Sequence, residues 1–573
     1  MSPSAPFRPL RIYPPLFFLI LMALLPKVAK GVEDGPSWLW MISAMGPFLM
    51  AVCVLIWWVF GSRAMGREKG IGVASVLLVG VAVFLGLHPT MKGPAIIVLT
   101  FPLGMAGFAL GAVLVGRWQR GVRIWVMVGM AALGFGYSLL LRSDGFWGNF
   151  DHQRTWRWIP TSEAQLALKG EEERNPAPSS ESIADFSGEA EWPGFRGPGR
   201  EGHVFGHRYA TDWEKTPPVL MWKIPVGPAW SSFAVHGSHL FTQEQRGEAE
   251  WVICYDADTG AEVWGTAIDG RFEDPVGGPG PRATPEVVDG KLYALGALGT
   301  LLCLDPGTGK PAWQVDISSA AKRKPPQWGF SSSPLVVEDL IIVHAGGEGI
   351  LGTLAFERDS GRLRWSAPSG NHSYSSPQLA RLEGEDLILM LTNDGLRALE
   401  PSSGKVTFAY SWKHNEYRAL QVSVIGSDSL LLPTGVGAGT RRIRVEKLGT
   451  EWNIVERWTS RRLKPDFNDF VTDGKFAYGF DGSIFTCVDL DTGERAWKGG
   501  RYGKGQVLYL EEDRLLFVAG EYGQGVLLRA TATGHEELAN VPMLEGKTWN
   551  HPVIVRDRLY LRNAQEAACF RLP

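Results

Sequence analysis

Tyr255-Asp256-Ala257-Asp258-Thr259-Gly260, followed after three residues by Trp264, is one copy of a unit that recurs to the end of the chain. It returns as Leu304-Asp305-Pro306-Gly307-Thr308-Gly309 with Trp313, and as Phe356-Glu357-Arg358-Asp359-Ser360-Gly361 with Trp365. Weaker copies are Leu399-Glu400-Pro401-Ser402-Ser403-Gly404 with Phe408, Val445-Glu446-Lys447 with Trp458 after an altered turn, Val488-Asp489-Leu490-Asp491-Thr492-Gly493 with Trp497, and Arg529-Ala530-Thr531-Ala532-Thr533-Gly534 with Leu538. The acidic and hydroxyl residues cap a tight turn, Gly supplies a positive φ, and the aromatic fills the space between neighbouring sheets. A period of roughly 40 to 50 residues with about four strands in each describes propeller blades.

Counting third strands gives eight blades, because Ala568-Cys569-Phe570-Arg571-Leu572 ends the chain with no aromatic after it. Leu220-Met221-Trp222-Lys223 has the opposite defect, an outer strand with no blade before it, and is expected to complete the last blade. Closure of the ring removes the open sheet edge of a linear array.

The Asp-x-x-Thr-Gly-x-x-x-Trp repeats resemble those of proteins related to pyrroloquinoline quinone (PQQ) dehydrogenases and of the eight-bladed bacterial outer-membrane assembly lipoprotein. The resemblance covers residues 190 to 573 and implies the fold rather than an activity. In layout, helices before such a propeller are also similar to membrane-bound quinoprotein glucose dehydrogenase.

Upstream, apolar stretches at about 13–26, 38–60, 71–88, 95–115 and 124–141 approach the ~20 residues a helix needs to cross a bilayer. The expected architecture is an all-β eight-bladed propeller (192–573) preceded by five transmembrane helices (1–141) and a linker (142–191). Arg8, Arg11, Arg63, Arg67, Lys69, Arg117, Arg120 and Arg123 flank one side of the spans, against Lys27, Lys30 and Lys92 on the other. This bias puts the N-terminus in the cytoplasm and the propeller outside the bacterial inner membrane, in the periplasm. With no Asp, Glu, Lys or Arg inside the spans, anchoring in the lipid bilayer is their expected role. The linker, with Gly170-Glu171-Glu172-Glu173-Arg174-Asn175-Pro176 at its centre, reads as a tether, and Trp156 and Trp158 as interfacial anchors. A net charge of −3 without a basic, aromatic-interleaved stretch excludes nucleic acid as a partner.

Inner strands of all blades start at one rim, where Arg282, Trp328, His372, Tyr374, Asn468, Asp469, Trp549, Asn550 and His551 converge as a candidate ligand site. Arg282, Asp469 and His551 are expected to act together there. Gln243-Glu244-Gln245-Arg246 is expected between two strands of blade one as a Glu–Arg pair or a rim contribution. Cys254, Cys303, Cys487 and Cys569 hold equivalent places in four blades, too far apart for the ~7 Å Cα limit of a disulfide, and are expected as free thiols. No His or Cys cluster has metal-site spacing.

Two functions follow. The first is a membrane-anchored scaffold or binding module whose rim takes a periplasmic protein or small molecule, without cofactor or catalytic residue. The alternative, implied by the resemblance, is a PQQ- and calcium-dependent dehydrogenase of alcohols or sugars that passes electrons to the membrane quinone pool, with Asp469 as base, Arg282 near the quinone, Asn468 beside the ion and Trp328 or Trp549 as floor.

Overall fold

A computed structural model describes residues 8–28, 37–168, 185–435 and 437–573. The chain forms two compact units, Met1–Pro160 with Pro275–Gly278, and Thr161–Asp274 with Pro279–Pro573.

The first unit contains α1 (Tyr13–Val28), α2 (Ser37–Ile56), α3 (Gly66–Gly86), α4 (Phe101–Val115) and α5 (Arg120–Tyr137), with single π-turns at Trp57–Gly61 and Ile96–Thr100. Four spans, Met41–Gly61, Gly66–Gly86, Ile96–Val115 and Gly121–Leu140, are long and apolar enough to cross a membrane. These are four of the five stretches expected, counted among the described residues. The remaining one, α1, is an apolar helix of 16 described residues, ~24 Å at 1.5 Å each. Helices α4 and α5 meet at near-backbone distance, since a Cβ on Gly107 would lie 2.2 Å from the Met130 carbonyl oxygen and one on Gly134 would lie 2.2 Å from that of Leu103. Such close approach of two backbones gives the helices extensive van der Waals contact.

Charge is not absent from the spans. Helices α3 and α5 begin earlier than the apolar stretches suggest, so Glu68 and Arg123 lie inside them. They form a buried ion pair at 2.5 Å, and Arg123 also donates to the Arg8 carbonyl at 3.0 Å. Arg123 therefore ties α5 to α3 and to the segment before α1.

Part of the expected linker is folded: a hairpin (Leu141–Phe146 and His152–Trp156) closes the first unit, and α6 (Ser162–Leu168) opens the second. Trp156 and Trp158 stack on each other, 5.2 Å between centroids. The Gly170–Pro176 run lies outside the described residues.

The second unit has eight antiparallel sheets built on four-stranded blades. Blade one runs Ala234–His236, His239–Arg246, Ala249–Asp256 and Glu262–Asp269 from the axis outward. Blade eight takes its outer strand from Val219–Pro225, with Trp222 opposite Cys569, and this closes the ring.

The repeat motif joins adjacent blades. Trp264 donates from Nε1 to the Pro306 carbonyl of the next blade at 2.9 Å, as Trp222 does to Ala257, Trp313 to Arg358 and Trp365 to Pro401. Its ring lies on the motif glycine: Gly309 has φ +71°, and a Cβ there would stand 2.4 Å from the Trp264 indole. Glycine is required twice over, for the left-handed turn and for the stacked ring. Opposite the tryptophans on the third strands sit Cys254, Cys303, Cys487 and Cys569, buried and unbridged.

Candidate functional site

The small polar residues at the inner-strand starts form a hydrogen-bonded girdle. The amide of Ser232 donates to Thr284 Oγ1 (3.0 Å), that of Thr284 to Ser333 Oγ (2.9 Å), and that of Ser333 to Ser376 Oγ (2.9 Å). The relay continues from the Ser376 amide to Gln421 Oε1 (3.1 Å), from Gln421 to Asp469 Oδ1 (3.3 Å), and from Asp469 to Gln506 Oε1 (3.0 Å). Gln506 Nε2 reaches the Trp549 carbonyl at 3.0 Å, and Ser232 Oγ donates to the His551 carbonyl at 2.7 Å, which completes the circle. Blades two to seven thus each satisfy an amide of the preceding blade at a place where the strand ladder has not begun, and blade eight is tied in through its Trp549 and His551 carbonyls.

Inside the girdle the channel is filled by the chain itself. Trp192 pairs its backbone with Val235 of blade one, and His203–Val204 runs parallel to Tyr509–Leu510 of blade seven. Between them, Pro-Gly-Phe-Arg-Gly-Pro-Gly-Arg-Glu-Gly (193–202) crosses the axis. Arg196 Nη1 lies 3.3 Å from Asp469 Oδ1, and its Nη2 donates to the Phe470 carbonyl at 2.7 Å. Arg200 pairs with Glu286 at 2.6 Å and donates to carbonyls of Ser333, Pro334 and Pro377 in blades three and four. Burial lowers the Arg200 guanidinium and raises the Glu286 carboxyl, each opposed by the other's charge. Two buried guanidiniums are tolerable because carboxylates and strand-start carbonyls meet them. Sequence reasoning missed this plug; its signal was two arginines set among glycines and prolines just before the repeats.

The rim residues divide accordingly. Asp469 and His551 come together, with Nε2 and Oδ2 3.2 Å apart, but Arg282 does not join them. Arg282 pairs with Asp274 of its own loop, donates to the Gly280 carbonyl at 2.7 Å and covers Phe272. Burial lowers the pKa of His551 against the raising effect of Asp469, whereas Arg282 is lowered by burial against Asp274. Asn550 donates to carbonyls of Ala229 and Ser231, and Asn468 accepts from the Asp466 amide.

Aromatic residues make up the rest of the rim. Trp328 contacts Tyr374 at 5.1 Å and Tyr417 edge-on at 4.7 Å, and His372 meets Tyr374. A second group joins Trp549 to Trp230 at 4.8 Å and to Phe467 at 4.7 Å, with Lys547 4.4 Å above the Trp549 ring. Trp549 donates to Glu521 at 2.9 Å, and Lys504 pairs with Asp466 at 3.0 Å. Trp230, Trp328, Tyr417, Phe467 and Trp549 stay half-buried. Sequence reading missed Tyr417 and Phe467, which precede the strand starts by a few residues.

Gln243-Glu244-Gln245-Arg246 belongs to the second strand of blade one, not to a turn. Arg246 pairs with Glu244 at 2.5 Å and Glu262 at 2.8 Å, so its charge is met within blade one.

PQQ with calcium requires hard oxygen ligands and a carboxylate base facing the quinone. Asp469 is instead enclosed by Arg196 and His551, and Asn468 turns its oxygen onto backbone. Among the described residues no three His, Cys, Asp or Glu side chains group as a metal site. The residues at the strand starts do not fit the cofactor.

No curated protein matches the chain. Among solved structures, BamB from Moraxella catarrhalis is 14% identical, with 62% of this chain and 100% of that one covered at a TM-score of 0.46. The quinohemoprotein alcohol dehydrogenase ADHIIG from Pseudomonas putida HK5 is 12% identical, with 66% and 80% covered at 0.41. That from Comamonas testosteroni is 14% identical, with 67% and 81% covered at 0.39. The family model described as outer membrane protein assembly factor BamB matches residues 213–316 and 248–499, together half of the chain. With its eight blades, its repeat turns and this match, the chain belongs to the PQQ-like β-propeller family described as outer membrane protein assembly factor BamB.

Proposed function

We propose that the chain is a multi-pass protein of the bacterial inner membrane whose periplasmic propeller serves as a scaffold that binds a protein or small-molecule ligand at its aromatic rim. The single observation that carries this reading is the occupied channel: Arg196 and Arg200 take up Asp469 and Glu286, the carboxylates a redox or acid–base site would need. What the rim offers instead is aromatic surface edged by paired charges, a composition suited to recognition. The four long apolar helices and their basic flanks support the anchor and its orientation.

A photocrosslinking residue in place of Trp328 in the full chain, expressed in its membrane, tests the reading. A discrete crosslinked species that disappears in a Trp549→Ala background is expected. PQQ- and Ca²⁺-dependent dye reduction with an alcohol or sugar, abolished by Asp469→Asn, would overturn it. Phosphatase fused after Pro573 is expected to be active, and an inactive fusion would reverse the orientation.

A further inference from the structure

The first unit encloses a cavity of about 210 Å³ with two kinds of wall. Pro47 of α2 and Leu99 of the π-turn stand on its apolar side, and Asn149, Asp151, His152 and Arg154 of the hairpin on its polar side. Pro47 also withdraws the helical N–H that would serve the Ser43 carbonyl, at another lining residue.

His152 gives the cavity a specific demand. Its Nε2 lies 2.9 Å from Ser143 Oγ, which already accepts the Gly145 amide at 3.2 Å. We assign the Ser143 hydroxyl as the donor to Nε2, which places the imidazole proton on Nδ1. That nitrogen is buried with no hydrogen-bond partner among the described residues. Burial, assisted by the nearby Arg154 charge, pushes the ring pKa down to about 4, so the imidazole is neutral at physiological pH. A buried donor without an acceptor is costly and calls for one. Next to it the guanidinium of Arg154 favours an anion. Asp151 lies on the same wall, 3.0 Å from Asn149 Nδ2, and a carboxylate accepts several further hydrogen bonds.

We propose that this cavity holds the headgroup of a zwitterionic membrane phospholipid, with phosphate at His152 and Arg154, ammonium at Asp151, and acyl chains along α2 and the π-turn. The proposal rests on the membrane reading above. It commits to a phosphoethanolamine headgroup because the wall presents both signs of charge and an N–H acceptor.

The full chain, extracted in mild detergent, would be examined by native mass spectrometry with lipid identification. A retained phosphatidylethanolamine is expected, reduced at least tenfold by Arg154→Ala and partly restored by Arg154→Lys. Arg154 is exposed, so these variants are expected to fold, which an unchanged melting curve would verify. An embedded chain without phospholipid, equal retention in Arg154→Ala, or equal retention of phosphatidylglycerol in mixed nanodiscs would overturn the headgroup site alone. Release of the chain from membranes by alkaline carbonate would instead overturn the anchor, and the lipid site with it.

Discussion

The guanidinium of Arg196 and the carboxylate of Asp469 meet at 3.3 Å in the middle of the propeller, each almost wholly withdrawn from solvent. The carboxylate has two duties, since the same oxygen also accepts the Gln421 amide of the girdle.

Asp469→Asn keeps an oxygen for that amide but leaves Arg196 buried without its countercharge. Loss of one partner of a buried pair costs ~3–5 kcal/mol. The melting temperature of the full chain is expected to fall clearly, and Arg196→Met added to Asp469→Asn to restore part of it. An unchanged melting curve, with loss of a bound ligand instead, would return Asp469 to a binding role.

Trp264 and Gly309 are expected to be energetically coupled. Trp264→Ala should cost ~3–5 kcal/mol, because the indole is 7% exposed and fills an inter-blade space. Gly309→Ala should be destabilising in the wild type and milder once the indole is gone, since the clash at 2.4 Å disappears while the +71° φ remains. Additive losses in the double variant, read from denaturant midpoints, would show that the two do not share a contact.

Removal of the chain from Val553 onward deletes three strands of blade eight and strips Trp222 of its pairing partner. The opened ring exposes edges at both ends, and protease resistance of the whole propeller is expected to be lost. A truncated form that melts normally would contradict closure by Val219–Pro225.

His344 sets an acid limit. Burial, with the charges of Arg323 and His372, pushes its pKa down from 6.5 to about 3. Between those values the unfolded chain binds the proton and the folded one does not. Stability is therefore complete above pH 6.5 and declines as pH falls through the window, by ~2 kcal/mol at about pH 5. His344→Asn is expected to flatten that part of the pH–stability curve, and an equally steep curve in the variant would assign the effect elsewhere.

The blades were legible because Asp256, Gly260 and Trp264 each answer a local steric or hydrogen-bonding need that repeats with the period. The strand starts were legible as positions but not as chemistry: Thr284, Ser333, Ser376 and Gln421 look the same in sequence whether they face a ligand or the next blade's amide. Arg196 and Arg200 gave no periodic signal, because they sit on irregular backbone and their partners come from four different blades. Composition marked the apolar spans, yet Glu68 and Arg123 were read as outside them, since a charge that finds its mate in space shifts a helix boundary that hydropathy alone cannot follow.

The plug also fixes an order of assembly. Residues 192–204 precede every blade in the chain, so on the ribosome they emerge first, and the eight sheets can gather around a segment already present. Nothing has to be threaded through a finished ring. A circular permutant that moved this segment behind Pro573 would keep every contact on paper and yet oblige a free end to enter a closed channel, turning a wrapping problem into a knotting one.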